Sequence, residues 1–322
     1  MKINFISFLD PTVYSGGGEM ITKALIDTGK QRGHDIKLSS VRPYKFDLHP
    51  NPDLIFLTDI FNSSHSLTSL GAWRGFPKNF VSNAVKHTPF IHLTNAYVDI
   101  CNLPYLPCNG NSCPICPVKN NLSLIDKLII KDFSNNCFAT KSLVKDLYEN
   151  SALNIYLSPL HKQVSENVLN IKNKENFVLK PLIDKTLFFN EGLTRDIEYL
   201  FVGIISEAKG YYEMREKFKD KDIHLIGKIA PNIKLDFGTH HGHVSYSEIP
   251  RYMNRAKNFV FMPRWPEPQG RVVVEASLCG CNVIGNNNVG ALSFDMDLAN
   301  PENFAGAEND LWLKIEQIKN GK

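Results

Sequence analysis

The chain of 322 residues is 43% hydrophobic and 21% charged, with a formal net charge of +3. Those proportions exclude a disordered chain, and no apolar run approaches the length that spans a bilayer, so the sequence describes a soluble globular protein long enough for two cores. Residues 1–180 hold 19 Lys and Arg against 14 Asp and Glu, whereas residues 181–322 hold 17 against 19. A basic first half suits an anionic lipid surface or a polyanionic acceptor, and a plain scatter of surface lysines explains it equally well.

Residues 2–9 alternate and then run apolar, as a buried strand does, and the opening is too short for an export signal, so a cytoplasmic location is expected. Asp10 to Gly18 forms a loop that ends in Gly16, Gly17 and Gly18. Consecutive glycine amides let a backbone approach an anion closely, although a flexible loop is the commoner use of such a triplet. Met20, Ala24 and Leu25 then keep helical spacing through Arg32, with Gly33 as the stop. Strands are expected at 35–40, 54–57 and 89–93. His92 lies at the end of the last run, where a structural histidine is the plain alternative to a functional one. Alternation of strand and helix indicates a layered α/β domain with a mostly parallel sheet.

Cys101, Cys108, Cys113 and Cys116 follow, separated by six, four and two residues. The Cys113–Cys116 knuckle has the spacing of structural zinc sites, and four thiolates leave no open position for catalysis. An iron–sulfur cluster or four free thiols are the other readings.

A polar linker is expected around 172–186. Strands at 199–202, 223–226, 259–262 and 282–285 alternate with helices near 210–219, 247–256 and 268–279, and an amphipathic segment closes the chain at 308–319. Doubly wound sheets of this kind bind ligands at the carboxyl ends of their strands. Two such loops carry suitable chemistry. One runs from Phe201 to Gly210 and contains Lys209. The other is Glu267-Pro-Gln-Gly-Arg-Val-Val-Val-Glu275, which sets two carboxylates eight positions apart. A helix opening at Pro268 would expose the N–H groups of Gln269, Gly270 and Arg271 to an anion. The alternative is an ordinary helix with two solvated acids. His240, His241 and His243 sit where alternation along an edge strand separates them, and Cys279 and Cys281 read as core packing.

The stretch from Glu267 to Ala276 resembles the Glu, seven residues, Glu signature of the retaining glycosyltransferases of the two-lobed GT-B type, the group 1 or family 4 class. The resemblance extends over most of the chain. It implies two Rossmann-like doubly wound α/β lobes facing a cleft: residues 1–176 as an acceptor-side lobe with the Cys-rich loop 101–116, residues 177–305 as the nucleotide-sugar lobe, and residues 306–322 as a terminal helix packing back on the first lobe. By this resemblance Glu275 holds the ribose hydroxyls and Glu267 contacts the donor sugar. Lys209, Gln269, Gly270, Arg271 and Val272 line the diphosphate, Gly17 and Gly18 form the turn facing it, and His92 lies near the reaction centre. Two departures stand out. Leu93 follows His92 where the family often has Asp. Ile204 replaces the family's Arg, which makes Arg264, and after it Arg271, the candidate substitute cation.

The activity implied is transfer of a sugar, with retention, from a UDP- or GDP-sugar to a glycan or lipid-linked acceptor at the inner membrane surface. No divalent cation is needed at the diphosphate, and structural zinc is the one cofactor in view. A non-catalytic sugar-nucleotide binder, a sugar-phosphate enzyme on the same fold, and a transferase acting on modified DNA bases are the alternatives. No basic, aromatic-lined groove for nucleic acid is identified.

Overall fold

The computed structural model describes residues 1–14, 16–59, 86–97, 99–100, 142–171 and 175–320. The chain divides into two compact units, one of Met1–Leu157, Lys162–Leu179 and Gly306–Lys322, the other of Ser158–His161 and Lys180–Ala305.

The first unit is built on six parallel strands: β1 (Lys2–Leu9), β2 (Asp35–Arg42), β3 (Leu54–Thr58), β4 (Phe90–Leu93), β5 (Leu153–Tyr156) and β6 (Asn176–Val178). Their order is β2-β1-β3-β4-β5-β6. Strand β1 is central and buried from Ile3 to Phe8, which is why it reads as a continuous apolar run. Its one amide side chain is satisfied inside: Asn4 donates to the His49 carbonyl (3.1 Å) and accepts from the His49 N–H (2.8 Å). Helix α1 (Gly17–Gln31) lays Ile21, Leu25 and Ile26 on the sheet. Helix α2 (Ser142–Asn150) and helix α3 (Pro159–Leu169) flank β5.

The second unit holds β7 (Ile197–Val202), β8 (Ile223–Ile226), β9 (Thr239–His240), β10 (Ala256–Phe261) and β11 (Asn282–Gly285), all parallel, in the order β11-β10-β7-β8-β9. Helices α4 (Tyr211–Phe218), α5 (Ile249–Arg255) and α6 (Arg271–Leu278) alternate with the strands. The core gathers Phe201, Phe259, Phe261, Met214, Met253 and Val274, all 2% exposed or less. The last helix, α7 (Ala307–Asn320), belongs to the first unit, where Trp312 is fully buried and its indole N–H donates to the Leu25 carbonyl at 3.0 Å.

Both sheets are doubly wound, so each has a point where the chain reverses direction across the sheet: between β1 and β3 in the first, between β7 and β10 in the second. Ligand crevices open at the carboxyl ends of the strands at such points. Among the described residues no helix is long and apolar enough to cross a membrane.

Three local outcomes differ from expectation. The helix expected from Pro268 begins at Arg271, because Gly270 is left-handed (φ 71°) and caps it, while the Gln269 carbonyl accepts from the Ala291 N–H. The segment 268–270 is therefore a pinned loop. The run at 177–184 contributes β6, which pairs with β5 and closes the first sheet. Elements β5, α2 and α3 carried no sequence signal strong enough to be placed: β5 is only four residues long and is fixed by pairing between β4 and β6.

Candidate functional site

At the switch point of the second sheet, the loop after β7 meets the loop after β10. The Arg264 N–H donates to the Ala208 carbonyl at 3.0 Å. Gly210 (φ 85°) lies so close that a Cβ there would stand 1.9 Å from the Met262 carbonyl oxygen, which forces glycine at this position. This packing brings Lys209 Nζ to 2.5 Å from Glu267 Oε2. The ammonium also stands 5.3 Å from the ring centroids of both Phe261 and Trp265, close enough for cation–π attraction. Glu267 is held by its backbone: its N–H donates to the Asn288 carbonyl (2.7 Å) and its carbonyl accepts from Gly290 (3.0 Å). The side-chain amides of Asn286 and Asn288 both donate to the Pro263 carbonyl (2.9 and 3.0 Å), so this asparagine loop braces the acid.

One turn into α6, Glu275 is 3% exposed and accepts from the Tyr246 hydroxyl (2.8 Å) and from Arg271 Nε (3.0 Å). Burial pushes the proton affinity of its carboxyl up, and Arg271 and Tyr246 pull it back. Arg271 also donates to the Tyr246 hydroxyl at 3.1 Å, which closes a three-membered polar network on the first turn of the helix. Gln269 is buried at 5% exposure, and Val272 packs against the core. Arg264 is fully engaged elsewhere: it pairs with Glu207 (2.8 Å) and Glu213 (2.5 Å) and lies over the Tyr212 ring. Ile204 is 57% exposed.

In the first unit, Gly17 and Gly18 open α1 after β1. A Cβ at Gly17 would meet open space, whereas one at Gly18 would stand 2.7 Å from the Asn95 side chain. Asn95 in turn donates its N–H (2.8 Å) and its side-chain amide (2.6 Å) to Asp59, at the end of β3. Burial raises Asp59 to about 6. His92 sits in β4 with Nε2 3.3 Å from Asp99 Oδ2 and its ring edge-on to Tyr148, whose hydroxyl donates to Asp99 at 2.5 Å. Burial lowers His92 to about 3 and raises Asp99 to about 7. Burial thus favours the neutral form of both partners in this contact.

Residues 184–294 match the family described as Glycosyl transferases group 1. Over that stretch the chain is similar to this family, and the chain as a whole has the two-lobed GT-B fold of the solved glycosyltransferases it resembles. It is similar to HepE (Alr3699) of Anabaena, solved in complex with UDP, at 14% identity and a TM-score of 0.53 over 99% of this chain and 93% of that one. Similarity to AviGT4, a glycosyltransferase involved in avilamycin A biosynthesis, is 12% at a TM-score of 0.54, over 100% and 99%. An alpha-glucosyltransferase solved with UDP and a 13-mer DNA containing a HMU base is 12% identical at a TM-score of 0.50, over 99% and 90%. No curated protein sequence matches the chain.

Of the residues that the sequence resemblance puts at the donor site, the second unit brings Lys209, Glu267, Gln269, Gly270, Arg271, Val272 and Glu275 into one region. Arg264 reaches the same loops but spends its charge on two glutamates. No sequence signal singles out Asp59, Asn95 and Asp99, which stand out in the first unit only through burial and hydrogen bonding. The histidine cluster is dispersed into separate hydrogen bonds, His240 to the Gly227 carbonyl (2.8 Å) and His241 to His224 (3.0 Å). Cys279 and Cys281 are buried thiols whose ionisation burial pushes up to about 12 and about 11, as core packing requires. Cys101, Cys108, Cys113 and Cys116 lie outside the described residues, as does Ser15. Among the described residues no group of three or more His, Cys, Asp or Glu is placed to hold a metal ion.

Proposed function

We propose that the transferase moves a sugar, with retention of anomeric configuration, from a UDP- or GDP-sugar to a glycan or lipid-linked acceptor. The observation that carries this reading is the Lys209–Glu267 pair at the switch point of the second sheet, beside the buried and doubly held Glu275. Glu275 accepts the ribose hydroxyls. Arg271 and Tyr246 fix its rotamer and offset part of the rise in proton affinity that burial causes. Glu267 binds hydroxyls of the donor sugar. Lys209 and the backbone amides that open α6 stabilise charge on the departing diphosphate, a preorganised electrostatic role that needs no divalent cation. Gly270 lacks a side chain where that backbone meets the ligand. In the first unit, the resemblance to GT-B transferases gives Gly17 and Gly18 an anion-binding backbone and His92 a neutral, hydrogen-bonding imidazole. UDP is favoured as the nucleotide because HepE and the DNA-bound alpha-glucosyltransferase were solved with it. Retention is supported by the resemblance of the Glu267–Glu275 spacing to the signature of retaining enzymes.

The test is thermal-shift binding of UDP-, GDP-, ADP- and TDP-sugars to wild type and to Glu275→Ala, with EDTA present. One nucleotide class at a hundredfold excess over its Kd is expected to add about 2.7 kcal/mol to the wild type and little to the variant. No shift with any nucleotide sugar overturns the reading. The anomeric configuration of the product, read by proton NMR, tests retention separately.

A further inference from the structure

The cations that line the second unit's switch point are already matched by carboxylates. Lys209 pairs with Glu267, Arg271 with Glu275, and Arg264 with both Glu207 and Glu213. Three cations thus face four carboxylates before any ligand arrives. A diphosphate brings further negative charge, so the paired groups alone offer it dipoles but no surplus positive charge.

Lys228 is different. It directly follows Gly227 at the carboxyl end of β8, its side chain is exposed, and it has no carboxylate partner among the described residues. Its position is fixed by register. Val202 lies opposite Ile226 and Ile205 opposite Ile229, at the same offset, which sets Lys228 opposite Ile204. Neighbouring strands stand about 4.8 Å apart and residues at matching register of a parallel pair face the same side, so a long side chain at 228 covers the space that a cation at 204 would occupy. The backbone there is rigid. The Ile205 N–H donates to the Lys228 carbonyl (2.9 Å), the Ala230 N–H to the Ile205 carbonyl (2.9 Å), and the Gly227 N–H to the Gly242 carbonyl (2.8 Å). A Cβ at Gly227 (φ 135°) would stand 1.9 Å from the Gly203 carbonyl oxygen, so these two loops touch backbone to backbone. Ile204 presents an apolar side chain that competes for neither charge nor hydrogen bond.

We propose that Lys228 supplies the unpaired positive charge that binds the diphosphate of the donor, reaching it across the β7–β8 pair in place of a cation at position 204. The inference rests on the nucleotide-sugar reading given above.

The test titrates wild type, Lys228→Met and the double variant Ile204→Arg with Lys228→Met against UDP, GDP, ADP and TDP, and against the nucleoside of whichever binds wild type most tightly. Methionine keeps the apolar stem and removes the charge, and an exposed site leaves the melting temperature unchanged. Loss of one charge-assisted hydrogen bond is expected to weaken the nucleoside diphosphate about tenfold in Lys228→Met, with the nucleoside unaffected. Arginine at 204 should restore the affinity, and the salt dependence should be shallower in the single variant than in wild type. Equal affinity of wild type and Lys228→Met for the diphosphate overturns the role of Lys228 and leaves the donor reading standing. An equal loss for nucleoside and diphosphate also overturns it, by moving the contact to the base. Failure of wild type to bind any nucleoside diphosphate overturns both.

Discussion

Lys209 Nζ and Glu267 Oε2 meet at 2.5 Å although 57 residues of chain lie between them, because the loops after β7 and β10 converge where the second sheet reverses its winding. Lysine and acid are each partly exposed, at 24% and 13% of the side chain, so the pair can open toward a ligand without a large desolvation cost.

Lys209→Met and Glu267→Gln are each expected to lower kcat by about 10²- to 10³-fold, the range for loss of one preorganised electrostatic contact. Because the two act as a unit, the double variant should lose far less than the product of the single losses. Steady-state kinetics on the three variants, with melting temperatures as the control for folding, checks this. Additive losses would separate the two residues functionally.

Gly290→Ala tests the brace behind Glu267. A Cβ there would stand 2.3 Å from the Pro268 carbonyl oxygen and 2.6 Å from that of Glu267, both backbone atoms that cannot swing aside. The variant should be destabilised by about 1–3 kcal/mol, as overpacking usually is, and should lose activity even at temperatures where it is fully folded. Thermal melts and kinetics on the same preparation separate the two effects.

Trp312→Ala should destabilise the first unit by about 3–5 kcal/mol, the range for a large aromatic removed from a core. The indole fills the space beside Gly29, where a Cβ would lie 2.4 Å from it. Arg32 and Glu316 (2.6 Å) clamp the same helix pair. Urea unfolding followed by tryptophan-independent circular dichroism measures the loss, and a change below 1 kcal/mol would mean that α7 docks through its ion pairs instead.

The buried acids of the first unit predict a pH dependence with a definite sign. Burial raises Asp99 from 3.8 to about 7, so between those values the native state keeps a proton that the unfolded chain has released. Stability from Asp99 is therefore present at low pH and lost as pH rises through that window, and Asp59, raised to about 6, acts in the same direction. His92 opposes them: lowered from 6.5 to about 3, it contributes stability above 6.5 that is lost as pH falls. Asp99→Asn keeps an acceptor for the Tyr148 hydroxyl and removes one proton from this balance. Its stability relative to wild type should rise by up to about 1.4 kcal/mol per pH unit between about pH 4 and about pH 7. Urea unfolding across that range checks it, and a pH-independent difference would mean that Asp99 ionises normally.

The sequence by itself determined the α/β class, the strands β1 to β4 and β7 to β11 apart from the two-residue β9, and the stretch from Glu267 to Glu275. These are features of local periodicity and composition: a central parallel strand is apolar throughout, and a glycine-bounded helix announces its ends. Tertiary structure decided what those residues do to one another. No spacing rule reveals that Arg264 is consumed by Glu207 and Glu213, because i to i+51 and i+57 neighbours are made by loop convergence. Nor does it reveal that Gly270 turns left-handed and shifts the start of α6 to Arg271, since the partner that pins the loop, Ala291, is far along the chain. Asp59 and Asp99 were invisible for the same reason: a lone aspartate after a short strand gains its chemistry only from burial. Burial is set by how the whole unit packs, not by the residues beside it in the chain.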